Sequence, residues 1–230
     1  MQLTLSQIYS VYNVLPSLQE HMLRVGGLVF AILDALDPKH AQIFKLQKQD
    51  LVQLALLHDI AKIVEIDLEY TKKLFPNKYT NEQIQFYKYV QKKLVKRLGK
   101  DHSIASESII KELGLPTLWG ALMRMIKFRY ANFAYVYGIT DLMLLIYADQ
   151  RVSPTSVTTL KQRVYEGRKR FIAQKGTNQY DKKLFENQLK ALENIESWLQ
   201  SITLKDISKI SEEQVQEIIA GQNFLSAKFY

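Results

Sequence analysis

The residues best suited to chemistry in this sequence are two histidines and two aspartates at three separated positions. A single histidine stands at His21, an adjacent pair at His58 and Asp59, and a second aspartate far downstream at Asp149. Imidazole nitrogens and carboxylate oxygens are common ligands of divalent cations, and without cysteine the chain has no thiolate ligand to offer. The set therefore suggests a metal site built from His and Asp alone.

Each of these residues also has an ordinary structural explanation. His21 could be a hydrogen-bonded core histidine, and Asp149 could end a helix or pair with a cation. A shared metal is favoured because all the candidates fall on or beside apolar faces of separate predicted helices, where an unpaired ionised carboxylate is costly. His58 and Asp59 would point about 100° apart on a helix, so both need polar partners near a dry core.

The apolar residues around these positions recur at steps of three and four, which is typical of helices, and strand signals are almost absent. Asp101 can cap a helix that begins near Ser103, and Gly114 can end it. The pair Ser153-Pro154 predicts a further helix start. We expect an all-α, multi-helix bundle.

The domain organisation is predicted from one short stretch that resembles a linker. The stretch 175–179 is the best linker candidate, so we expect a helical domain over residues 1–175 and a C-terminal helical extension over 176–230 packed on it.

Composition limits the possible partners. The formal net charge of +8 favours anions such as nucleotides, phosphate esters or RNA. No run approaches the roughly 20 apolar residues that a membrane span needs, and the N-terminus has no basic signal region. We therefore expect a cytoplasmic protein with no membrane partner.

Three segments together resemble the HD superfamily over about residues 15–170: Glu20-His21-Met22-Leu23-Arg24-Val25, Leu57-His58-Asp59-Ile60-Ala61-Lys62 and Tyr147-Ala148-Asp149-Gln150-Arg151-Val152. The resemblance implies a helical bundle in which His21, His58, Asp59 and Asp149 hold one divalent ion, which could be Mn, Fe, Co, Ni or Mg. It also implies hydrolysis of a phosphate ester or anhydride. Asp59 would orient the attacking water or accept its proton, and Lys62 would stabilise charge on the phosphoryl group.

A fourth segment, from Asp101 to Glu107, resembles the additional histidine segment of HD members with larger, sometimes two-metal sites. The next histidine of those members is missing, and Lys127 and Arg129 stand in the matching stretch. Arginine cannot realistically ligate a metal but can contact phosphate. We therefore expect one metal, with Lys127 and Arg129 as substrate contacts. His102 could contact substrate or could equally be a surface residue at a helix cap.

Two further arginines lie close to the predicted ligands in sequence. Arg24 follows His21 by three residues and Arg151 follows Asp149 by two, so either could reach a bound anion; surface pairing is at least as good an explanation.

The leading hypothesis is a metal-dependent phosphohydrolase of a nucleotide or related small phosphorylated metabolite. The alternatives are a catalytically weak HD module that binds a nucleotide and regulates a partner, and an RNA-associated protein.

Overall fold

Local capping signals determine where the helices nearest the His-Asp pair begin and end. In a computed structural model of the protein, Oδ1 of Asp101 accepts a hydrogen bond from the backbone N–H of Ser103 at 2.8 Å, and the helix His102–Glu112 begins there as predicted. The chain leaves this helix through Gly114, whose φ of +69° is a conformation that glycine adopts without steric cost.

The structure describes residues 2–177 and 181–229, and the fold is all-α. Within these ranges the chain forms twelve α-helices: α1 Leu5–Val11, α2 Pro16–Asp34, α3 Lys48–Leu57, α4 Leu68–Leu74, α5 Asn81–Leu98, α6 His102–Glu112, α7 Thr117–Met123, α8 Ala131–Val136, α9 Thr140–Asp149, α10 Leu160–Lys175, α11 Lys182–Ser201 and α12 Glu212–Gln222. Two short strands, β1 (Leu3–Thr4) and β2 (Lys228–Phe229), pair antiparallel.

The predicted helix start at Ser153-Pro154 is wrong. Oγ of Ser153 accepts a hydrogen bond from the backbone N–H of Ser156 at 3.0 Å, which closes a turn instead of a helix. Helix α10 begins six residues after Pro154, behind a capping box at Thr159. A short hydroxyl side chain can stabilise either a helix start or a turn, and here the turn is formed.

The predicted linker at 175–179 falls only partly within the described ranges. Helix α10 ends at Gly176, which has a φ of +78°, and α11 begins behind Asp181. Residues 178–180 lie outside the described residues. The division into 1–175 and 176–230 stays a prediction.

The chain forms two compact units, each assembled from separate segments. Unit 1 consists of Met1–Met22, Leu57–Met125 and Asn223–Tyr230, and unit 2 consists of Leu23–Leu56 and Ile126–Gln222. In unit 1 the amphipathic helix α5 buries one apolar stripe, formed by Ile84, Val90 and Leu94. In unit 2 helix α9 is buried on every side from Asp141 to Ala148.

A buried carboxylate organises the start of α9. Oδ1 of Asp141 accepts hydrogen bonds from the backbone N–H groups of Lys45 at 3.0 Å and Leu46 at 3.5 Å, so the loop before α3 is fixed to this helix. Burial raises the pKa of Asp141. Among the described residues, no helix is both long and apolar enough to cross a membrane.

Candidate metal centre

The two histidines of the predicted site come from different helical segments: one lies within a helix and the other directly follows a helix. His21 lies on α2 just before the buried Met22, and His58 follows the last residue of α3. Only 3% of the His58 surface is exposed, and the centroids of the two imidazole rings are 5.4 Å apart. The structure therefore places the two imidazole rings next to each other, as the predicted metal site requires.

Asp149 is the last residue of α9 and lies in unit 2, and its role as a metal ligand stays a prediction. Two imidazole nitrogens and a carboxylate oxygen are a donor set that divalent transition metals accept.

Asp59 lies beside His58 in unit 1. Its Oδ2 is 3.9 Å from Nε2 of His58, and its Oδ1 faces the Nζ of Lys62 at 3.9 Å. Burial raises the pKa of the Asp59 carboxyl, but the Lys62 ammonium and the neighbouring imidazoles outweigh burial and lower the pKa to about 2. Asp59 is therefore ionised near neutral pH.

Lys62 reaches this position through a tight turn, since α3 ends at Leu57. The segment Lys62–Val64 is a 3-10 helix, and its N–H groups bond to carbonyls three residues back, as Lys62 does to Asp59 at 2.9 Å. Nε2 of Gln91 on α5 donates to the carbonyl oxygens of Ile63 and Ile66 at 2.6 and 2.8 Å. These bonds hold the turn against α5.

His102 is a buried part of the same cluster, with 5% of its surface exposed, so the surface-cap alternative is wrong. Its Nε2 lies 3.8 Å from Oδ1 of Asp59 and 3.5 Å from Nζ of Lys62. Its Nδ1 lies 2.7 Å from Oε2 of Glu65, a residue that the sequence analysis missed. The signal for Glu65 was a single acidic residue within the apolar run 63–66.

The structure corrects the predicted role of Arg151, because its guanidinium has no N–H left for an anion. Only 1% of Arg151 is exposed. All five of its N–H donors are engaged by oxygen atoms of the protein, those of Thr158, Tyr147, Ile207, Ser208 and Ile210. Arg151 is a structural residue of unit 2.

The other three predicted substrate contacts, Arg24, Arg129 and Lys127, lie in different environments. Nε of Arg24 donates to Oε1 of Glu212 at 2.8 Å, in line with the pairing alternative. Arg129 is exposed and its guanidinium stacks on the Tyr130 ring at 4.9 Å. Lys127 is half-buried and immediately precedes the 3-10 turn Phe128–Tyr130. The roles predicted for these three as substrate contacts stay predictions.

Comparison with protein families agrees with this geometry. Residues 18–129 match the family model of the HD domain. The match supports the resemblance to the HD superfamily, whose domains bind divalent metals and include metal-dependent phosphohydrolases. The match contains His21, His58, Asp59 and His102 and ends 20 residues before Asp149. Comparisons with curated proteins and with solved structures gave no match.

Proposed function

We propose that this protein is a metal-dependent phosphohydrolase that acts on a nucleotide or a related small phosphorylated metabolite. The observation that carries the proposal is the pair of His21 and His58, whose ring centroids are 5.4 Å apart in a chain that matches the HD domain over residues 18–129. The ionised Asp59 and the Lys62 ammonium lie beside His58.

These residues suit one divalent ion. His21, His58 and Asp149 would hold it, and Asp59 is the candidate for a fourth ligand. When bound, such an ion supplies Lewis acidity toward a phosphoryl oxygen and makes a coordinated water easier to deprotonate. Mixed nitrogen and oxygen ligands favour Mn, Fe, Co or Ni, and Mg would bind through the carboxylates.

The side chains of Asp59 and Lys62 would have different roles in the reaction. A carboxylate with a pKa of about 2 is a weak proton acceptor but a permanent hydrogen-bond acceptor, so Asp59 is better suited to orient the attacking water than to remove its proton. Lys62 would contact the transferring phosphoryl group. Its side chain is 29% exposed, which leaves it accessible to an anionic substrate.

The choice of a nucleotide rests on charge and on the family. The net charge of +8 raises the local concentration of anions, and the buried, compact cluster around His58 and His102 suits a small phosphate better than a long polymer.

The decisive experiment is a phosphate-release screen of the metal-stripped protein across nucleotides and sugar phosphates, with Mn, Co, Ni, Fe and Mg added separately. We expect release that depends on the added metal. Nucleotide binding without release under every metal would instead indicate the regulatory module, and binding of long RNA that falls steeply with salt would indicate an RNA-associated protein.

A further inference from the structure

Helix α5 of unit 1 presents a strongly basic face to solvent. The helix carries five cationic residues and one acidic residue, Glu82 in its first turn, so it supplies half of the chain's net charge of +8. Its apolar stripe is buried, and five exposed side chains fall within about 120° of one another on the opposite side. These five form the basic face of α5: Phe86, Tyr89, Lys92, Lys93 and Lys96.

The three lysines of the basic face have no acidic partners. The cations at its edges, Lys88 and Arg97, pair with acidic residues of neighbouring segments. Among the described residues, no carboxylate forms an ion pair with Lys92, Lys93 or Lys96. A solvated surface helix is stabilised by opposite charges three or four residues apart. Here the residues at these spacings carry like charges, so they repel one another, and a bound polyanion would relieve the repulsion.

Two aromatic rings lie among these lysines. Phe86 is 49% exposed and Tyr89 is 56% exposed, so neither ring is part of the core. The Nζ of Lys93 lies 4.5 Å from the centroid of the Tyr89 ring. A stacking surface and an ammonium therefore stand side by side. Proteins that bind single strands combine these two features, because bases stack on aromatic rings while cations follow the phosphates.

We propose that the basic face of α5 binds single-stranded nucleic acid, with its lysines on the phosphates and its two rings stacked on bases. From Phe86 to Lys96 the face is about 15 Å long, at a rise of about 1.5 Å per residue. This length matches about four nucleotides of a stacked strand, at about 3.4 Å each. Binding at this face is a function additional to the proposed hydrolysis and does not require it.

The basic face lies on the other side of α5 from the turn that carries Lys62. Gln91, which donates to the carbonyl oxygens of Ile63 and Ile66 in and after that turn, is about 160° around the helix from Tyr89. A strand on the basic face therefore occupies a different place from a small phosphate beside Lys62.

An acidic membrane would also attract these lysines, but α5 lacks the surface needed to enter one. A helix that lies in a membrane interface inserts a broad apolar face. The apolar stripe of α5, formed by Ile84, Val90 and Leu94, is buried within the protein. Phe86 and Tyr89 are then the apolar side chains of the basic face. Two separate rings suit stacking on bases better than insertion among lipid chains.

The first measurement is the affinity of the full chain for a labelled single-stranded RNA of about 12 nucleotides at several salt concentrations. The variant combines Lys92→Gln, Lys93→Gln and Lys96→Gln. Each phosphate neutralised on a single strand contributes about 0.7 to the slope of log affinity against log salt. We therefore expect the slope to fall by about 2, and the affinity to fall about tenfold or more at about 0.1 M salt.

The matched control combines Lys39→Gln, Lys205→Gln and Lys209→Gln, which remove the same charge from three exposed lysines outside α5. This control should keep the wild-type affinity and salt slope. An equal loss in the control overturns the proposal, because net charge alone would then explain the binding. A wild-type chain that binds no single strand even at low salt also overturns it.

The second measurement tests stacking. Tyr89→Ala removes a ring and no charge, so we expect it to weaken RNA binding about fivefold or more with an unchanged salt slope. Tyr89→Phe keeps the ring and should bind as the wild type does. Wild-type affinity in Tyr89→Ala overturns the proposal.

Two other polyanions identify the ligand class. Duplex RNA of the same length has its bases stacked internally, and phosphatidylserine vesicles have no bases. We expect both to bind more weakly than the single strand, and tighter binding of either through the same three lysines overturns the proposal. None of these measurements uses phosphate release, so the basic face is tested whatever the hydrolysis screen finds. Loss of RNA binding in the triple variant with unchanged metal-dependent phosphate release would assign both functions to one protein.

Discussion

Replacing Lys62 with methionine separates the work of the metal ligands from that of the nearby ammonium. Methionine keeps an unbranched stem of similar length and removes the charge. The Nζ of Lys62 lies 3.1 to 3.9 Å from Glu65, His102 and Asp59. We expect Lys62→Met to bind its metal as the wild type does and to release phosphate more slowly.

The size of the effect follows from Coulomb's law. Two unit charges about 4 Å apart interact by about 4 kcal/mol at an effective dielectric constant of about 20. The phosphate is charged both before and during the reaction, and the Lys62 side chain is 29% exposed, so only part of this energy is specific to the transition state. Taking about a third gives about 1.4 kcal/mol, or about a tenfold loss in kcat/KM.

The assay compares metal content and steady-state phosphate release for the wild type, Lys62→Met and Lys88→Met. Lys88 pairs with Glu69 on the surface of unit 1 and provides a matched loss of one ammonium. Full activity in Lys62→Met would refute the reasoning, and so would an equal loss in Lys88→Met, because net charge alone would then explain it.

Three further outcomes are expected. Asp59→Ala should lower metal occupancy and abolish phosphate release, which metal analysis beside turnover would check; an active, fully loaded variant would contradict the proposed role. Arg151→Met should lower the free energy of unfolding by about 3–5 kcal/mol, because it leaves buried acceptors without their donors; urea denaturation would measure this, with the exposed Arg129→Met expected to change stability by less than about 0.5 kcal/mol. The protein should carry one tightly held metal per chain, and elemental analysis that finds two, with His102 as a ligand, would contradict this.

Some expectations could be read from local sequence because they depend on few neighbours. The helical spacing predicted the all-α fold, and Asp101 and Gly114 predicted both ends of α6, since capping involves only three or four consecutive residues. The same local logic failed at Ser153, where a turn and a helix start make equally good use of one hydroxyl group.

The sequence by itself determined the residue types of the candidate centre: His21, His58 and Asp149 stand on apolar faces where polar side chains need a strong partner. Only the tertiary structure decided which partners each charged group contacts. Arg151 has all five donors satisfied by carbonyl and hydroxyl oxygens, three of them more than 50 residues away in sequence. Glu65 contacts both Lys62 and His102, which are 40 residues apart. Such partnerships depend on distances of a few ångströms between segments far apart in the chain. Periodicity and spacing describe one segment at a time, so they carry no information about those distances.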